Sequence, residues 1–323
     1  MTVLKVLGFS VAVLGLIGVL GCVRARPGAP HGVTDVIAHR GSSAYAPENT
    51  LAAFKMAKEQ GADWFELDCR LSEDGQVVVI HDETVDRTTN GTGYVRELAL
   101  HDLQNLDAGT WKGPEFEGER IPTLGQALDF AKWKIGVYCE IKSDDDDTLL
   151  IERIKERSKG IAKADFQFKQ DIMAMIEASG TRNLELTRKA IVEILNRRMW
   201  RQVVIQSFSP VICAIVAIEA PQIRVEYLGG EDPDVPGSWE EYLRMGYLLD
   251  VDGFNINRQS VTEGRIAAFH EAGKTCAVWT VDELEEIDRL ITWGVDGVIS
   301  NKPEIVFNST REKQWVGAPY KAK

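Results

Sequence analysis

Five short apolar runs in this 323-residue sequence carry, at or near their ends, side chains that a strand filling a core would not use. The first closes on His39 and Arg40 before Gly41; the second holds Glu66 and Asp68; the third ends in His81 and Asp82. The fourth carries Glu140 and Lys142, and a late one ends in Trp279 and Thr280. Residues two apart on a strand project to one face, so Glu66 aligns with Asp68 and Glu140 with Lys142. Three carboxylates aimed into one space repel one another unless something offsets their charge. Hard oxygen donors suit one divalent cation, Ca2+ or Mg2+, with water and a substrate oxygen completing its coordination. Histidine gives or takes a proton near neutrality, and of the five histidines only His39 and His81 fall at expected strand tips. Phosphodiester cleavage uses such a set. A cation, Arg40 and Lys142 offset the phosphate charge, while one imidazole deprotonates the attacking oxygen and the other protonates the leaving alkoxide.

These side chains need a scaffold that brings strand ends together. From residue 33 onward, β-branched runs alternate with amphipathic helical patterns. Strands are expected over 36–38, 64–68, 77–80, 135–141, 203–206, 223–228, 253–255, 275–280 and 297–299, and helices over 51–59, 124–131, 172–178, 184–196, 211–219, 265–272 and 284–293. Such alternation implies a parallel sheet, and about eight repeats imply a distorted TIM (β/α)8 barrel with its chemistry at the C-terminal strand ends. A doubly wound open sheet is the competing arrangement. Nine candidate strands exceed a barrel's eight, so at least one is misassigned or lies outside the ring. The interval from Asp68 to Val77 is too short for a crossover helix. After the third strand, residues 83–122, rich in Thr, Gly and Asn, read as a folded insertion above the barrel. After Lys142, the acid run Asp144, Asp145, Asp146 and Asp147 lacks EF-hand spacing and reads as a solvated loop and helix start, followed by a long helical stretch to Trp200.

A net charge of −12 argues against a protein that clamps a nucleic acid backbone, but leaves room for a small anionic substrate bound by local cations. Residues 1–22 form a separate unit: an uncharged apolar run, Val6 to Leu20, ends in Val-Leu-Gly-Cys at Cys22. That ending is lipobox-like, so the segment reads as a lipoprotein signal peptide or an uncleaved membrane anchor. Residues 23–33 read as a tether, 34–310 as the barrel and 311–323 as a C-terminal tail. The expected location is exported and membrane-tethered, at the bacterial periplasm or cell surface. Cys69, Cys139, Cys213 and Cys276 sit singly in apolar segments as buried free thiols, without zinc spacing.

In order, the chain carries HRG at His39 to Gly41, PENT at Pro47 to Thr50, ELD at Glu66 to Asp68 and HD at His81 and Asp82. It continues with DRTTNGTG from Asp86, IPTL from Ile121, EIK at Glu140 to Lys142, QSF from Gln206, WTV from Trp279 and DGVISNKP from Asp296. From Val36 to Pro303 this set resembles the glycerophosphodiester phosphodiesterase family, a branch of the phospholipase C-like barrels. The resemblance implies His39 and His81 as general acid and base, Glu66, Asp68 and Glu140 as metal ligands, Arg40 and Lys142 as phosphate-binding, and Trp279 as a wall of the alcohol pocket. It further implies that Glu48 and Asn49 brace the first loop, Asn49 being also a candidate helix cap, and that residues 83–122 cover the glycerol side. The implied reaction is metal-dependent hydrolysis of glycerophosphodiesters to an alcohol and glycerol 3-phosphate. A lysophospholipase D acting on lipid-bearing diesters, and a non-catalytic surface protein that binds phosphodiesters, are the alternatives. Two positions depart from the family pattern: Asp282, where Asn is frequent, and Asn301, where Asp is common.

Overall fold

The computed structural model describes residues 33–317. The expected leader at 1–22, and all but the last residue of the expected tether at 23–33, lie outside the described residues. Among the described residues no helix is long and apolar enough to cross a membrane.

The described residues form nine strands: β1 Asp35–Ala38, β2 Trp64–Leu71, β3 Val77–Val79, β4 Gly136–Ile141, β5 Val203–Ser207, β6 Arg224–Gly229, β7 Gly253–Asn257, β8 Thr275–Trp279 and β9 Gly297–Ser300. All but β3 are parallel, and pairing of β1 with both β2 and β9 closes them into an eight-stranded barrel. The open-sheet alternative is therefore excluded. The surplus strand is β3, which runs antiparallel to the overhanging end of β2, with Cys69 opposite Val79 and Leu71 opposite Val77. This corrects the expectation that His81 ends a barrel strand. A short turn suffices to reverse the chain, so no crossover helix is needed between them.

Side-chain alternation separates two layers. On β5, Val203 and Ile205 pack outward against the helices, while Val204 joins Ile37, Tyr138, Ala277 and Ile299 in the barrel interior. Helix starts follow their capping residues: Thr50 accepts from the Ala53 N–H before helix Leu51–Glu59, and Thr123 with Gln126 forms a reciprocal box before helix Leu124–Ala131. The cap expected of Asn49 thus belongs to Thr50. The stretch after Lys142 holds three helices, Thr148–Arg157, Phe166–Ser179 and Arg182–Asn196. Its acid run is the loop and helix start expected, with Asp147 at the cap of the first helix and Asp146 exposed, but Asp144, Asp145 and Asp147 are partly or fully buried. Asp144 pairs with Arg70 at 2.8 Å, Asp145 accepts from the Arg182 N–H, and Asp147 is buried against Asn183. The last helix, Pro303–Gly317, runs past the expected boundary at residue 310.

At the N-terminal end of the barrel, Arg224 donates to Thr275 Oγ1 (2.8 Å), whose hydroxyl donates to Glu226 Oε1 (3.1 Å). Nearby, the Asp35 carboxyl is pushed up to about 6, by burial first and then by Asp63. The folded state prefers this group neutral. Stability lent by the neutral form is complete below the unfolded value near 4 and is lost as pH rises toward 6. We therefore expect Asp35→Asn to stabilise the fold by about 2 kcal/mol at pH 7.5, with the gain vanishing near pH 4. Thermal melts of both proteins across that range check it; an equal gain at both ends would show that charge is not the cause.

Candidate active site

Register brings the expected carboxylates together. Asp68 on β2 lies opposite Glu140 on β4, Glu66 sits two residues earlier on β2, and ligand oxygens from all three lie within 4.8 Å of one another. Each is buried and held by named donors. The Arg40 N–H donates to Glu66 Oε2 at 2.8 Å, and the Gln206 amide faces Glu66 Oε1 at 3.5 Å with its own oxygen fixed by Asn255 (2.5 Å). Asn49 grips Asp68 twice, donating to its carboxylate at 2.8 Å and accepting from its backbone N–H at 3.2 Å. Lys142 Nζ lies 2.5 Å from Glu140 and 3.1 Å from Asp68, while Arg40 Nε lies 3.3 Å from Asp68.

Backbone geometry makes these contacts possible. Arg40, Gly41 and Asn49 have φ of 55°, 78° and 60°, so the first loop coils back over the carboxylates. At Gly41 a Cβ would come within 2.6 Å of the Ala53 carbonyl carbon, which restricts that turn to glycine.

Two cations against three buried acids leave negative charge uncompensated. The Glu66 carboxyl is driven well above the usual range, by burial first and then by Asp68 and Glu140. Glu140 is raised to about 7, by burial and then by Asp68. Asp68 resists burial and is held low by Lys142 and Arg40. The donor set is all oxygen, convergent and short of positive charge, which fits a divalent cation.

The two histidines are held differently. His39 Nδ1 meets Asn301 Oδ1 at 2.8 Å, and Asn301 is fixed by Asp282, which accepts from both its backbone N–H and its amide. Because Asn301 Oδ1 can only accept, this bond assigns the proton to Nδ1 and leaves the Nε2 lone pair free. Burial, and then Arg40, push His39 down to about 4. His81 Nδ1 meets the Asp82 carboxylate at 2.7 Å; burial lowers its affinity for a proton, and Asp68 and Asp82 oppose that shift. Arg87, from the insertion, donates to Asp82 (2.6 Å) and to both oxygens of Glu48 (2.8 Å each), and Glu48 accepts from Arg40 at 2.9 Å. An ion-pair chain thus joins the insertion to the first loop. Trp279 stands at the tip of β8; its indole N–H donates to the Asn255 carbonyl (3.0 Å) and its ring meets exposed Phe208 edge-on at 5.4 Å.

All eight expected site residues therefore border the barrel mouth. Asn49, Asp82, Arg87, Gln206, Asp282 and Asn301 position them without having been assigned those partners from sequence. Asp282 and Asn301 were visible only as departures from a family pattern, and their pairing explains both: an Asn accepts from His39 while the negative charge sits one residue further away.

A family model described as the glycerophosphoryl diester phosphodiesterase family matches residues 39–305. The chain is 38% identical over 284 residues to a glycerophosphodiester phosphodiesterase of Caldanaerobacter subterraneus, covering 86% of this chain and 98% of the relative. Among solved structures it is similar to an Oleispira antarctica phosphodiesterase in complex with the product sn-glycerol-3-phosphate, with 28% identity, a TM-score of 0.68, and 86% and 97% of the two chains covered. A glycerophosphodiester phosphodiesterase from Agrobacterium tumefaciens matches with 28% identity, a TM-score of 0.64, and 84% and 98% covered.

Proposed function

The chain belongs to the glycerophosphoryl diester phosphodiesterase family, and from that premise we propose that it hydrolyses soluble glycerophosphodiesters to an alcohol and glycerol 3-phosphate with two histidines as proton carriers. The observation that carries this reading is the pair of imidazoles, each anchored through Nδ1, bordering three convergent buried carboxylates. Glu66, Asp68 and Glu140 would hold one Ca2+ or Mg2+, which when bound supplies positive charge against the phosphate.

The chain's own groups do the rest. Arg40 Nε faces Asp68 at 3.3 Å without a formed hydrogen bond, and its guanidinium would offset phosphate charge together with Lys142, which meets the same carboxylate at 3.1 Å. His39, neutral and with Nε2 free, takes the proton of the attacking hydroxyl, whether from water or from the glycerol itself. His81 gives a proton from Nε2 to the leaving alkoxide, and the Asp82 carboxylate behind it steadies the imidazolium form. Trp279 and Phe208 wall the mouth where an alcohol would leave.

Exposed Phe208 also offers an apolar surface to an acyl chain, which favours the lysophospholipase D alternative. A coupled assay for glycerol 3-phosphate with glycerophosphocholine, beside a choline assay with lysophosphatidylcholine, separates the two. We expect turnover of the first at least about tenfold faster, on the scale set by one or two mismatched hydrophobic contacts. The reverse order would favour the lipid-bearing substrate, and silence in both assays would support a binding protein.

A further inference from the structure

We propose that the N-terminal end of the barrel, opposite the catalytic mouth, docks on an anionic lipid bilayer through a basic patch centred on Trp133. The loops entering β4 and β5 are stitched together there. Gln202 Oε1 accepts from the Trp133 N–H (3.2 Å), and Gln202 Nε2 donates to the Ala131 and Ile135 carbonyls (3.0 and 2.7 Å). The joined loops present Trp133, 81% exposed, with exposed Lys134, Arg198 and Arg201 beside half-buried Lys132. Lys132 Nζ lies 5.9 Å from the centre of the Trp133 ring. Their neighbour Arg197 is paired with Asp129 and Glu193, whereas no ion pair among the described residues engages Lys134, Arg198 or Arg201.

The local sequence is poorly suited to a mere turn. Trp133 and Arg198 adopt φ of 64° and 58°, a region that glycine or asparagine enters more cheaply. A large apolar ring held there in water gains little from packing within this chain. Such local conflict is expected where a surface has something to bind.

Chain geometry identifies the occupant. Thirty-two residues precede the described fold, including the uncharged apolar run Val6 to Leu20, and they enter β1 at this same end. From β1 to β4 is two steps around the ring, through β2. Eleven residues, 23–33, separate Cys22 from Thr34, and fully extended they span at most about 40 Å. Were residues 6–20 the membrane segment their sequence suggests, they would keep this end of the barrel near the headgroups, where tryptophan partitions and where Lys and Arg meet anionic lipid. Local positive charge acts there despite the net charge of −12. The mouth then opens toward water, which favours soluble diesters over lipids in the same membrane.

Vesicle sedimentation tests this without reference to catalysis. The protein from Val33 onward is a suitable species, since it holds all of residues 39–305, which the family model matches, together with the closed barrel. We expect it to sediment with phosphatidylcholine vesicles containing phosphatidylglycerol, weakly or not at all with phosphatidylcholine alone, and less as salt rises. Lys134→Glu, Arg198→Glu and Arg201→Glu should each lower partitioning by more than about fivefold, the worth of one lost cation near such a surface, because each also adds a negative charge. Trp133→Ala should lower it to a similar degree. All four variants should keep the parent melting temperature and glycerophosphocholine turnover, which separates lost docking from lost fold. Equal sedimentation with both vesicle types, or unchanged partitioning in the variants, would overturn the proposal. So would a Trp133-dependent dimer without vesicles, which would assign the patch to a second copy of the chain.

Discussion

His39→Ala and His81→Ala should each reduce kcat/KM for glycerophosphocholine at least about a hundredfold, the usual scale for a lost proton-transfer group. Neither substitution removes a ligand from the carboxylate cluster, so cation affinity should change little. The two should differ in their response to pH. A neutral His39 is available as a base at every pH well above about 4, its depressed value, whereas His81 must carry a proton to act as an acid. Loss of activity on the alkaline side should therefore disappear in His81→Ala, whose residual rate flattens there, and persist in His39→Ala. Stopped assays over pH 5 to 9 with melting curves as a folding control measure this. If both variants retained full turnover, neither imidazole would be moving a proton in the slow step.

Chelation should lower the parent's turnover at least about a thousandfold, with recovery on adding Ca2+ or Mg2+, because a bound cation supplies several kcal/mol of charge stabilisation. The charge imbalance allows a sharper test. Glu66→Gln removes a carboxyl driven well above its normal range by burial and by two like charges, while keeping an oxygen to accept from the Arg40 N–H. This variant should melt higher than the parent when both are free of metal, yet lose nearly all activity and most of the stabilisation that added metal gives the parent. A higher melting point with intact, EDTA-sensitive turnover would remove Glu66 from the cation site. Activity unaffected by exhaustive chelation would dismiss the cation altogether.

The sequence was legible where chemistry and periodicity coincided. Glu66 and Asp68, two apart in a strand pattern, had to share a face, and the barrel placed Glu140 beside them. Helix 51–59 was equally readable from its periodic pattern, although its cap proved to be Thr50 rather than Asn49. What remained hidden depended on partners distant in the chain. His39 meets Asn301 across 262 positions, and Asp144 meets Arg70 across 74; no local pattern announces either. The acid run read as solvent-facing because four like charges in a row usually are, yet Arg70, the Arg182 N–H and Asn183 each claim one of them. Helix Ser238–Leu249 was missed because Pro and Gly crowd the residues just before it, hiding a periodic pattern in which Tyr242, Met245 and Leu249 are buried.

The hairpin formed by β2 and β3 has a consequence for how such a site can change. His39 rides on the ring itself, but His81 is carried on a return arm fastened to β2 by three residue pairings. One of the two proposed proton carriers is thus fixed to the frame and the other is mounted on a bracket. That mounting is tied to the carboxylates it faces, since the Ile80 N–H donates to the Asp68 carbonyl (2.9 Å) and Arg70 Nε to the His81 carbonyl (2.9 Å), so a shift of His81 toward a wider or narrower leaving alcohol would be felt at Asp68.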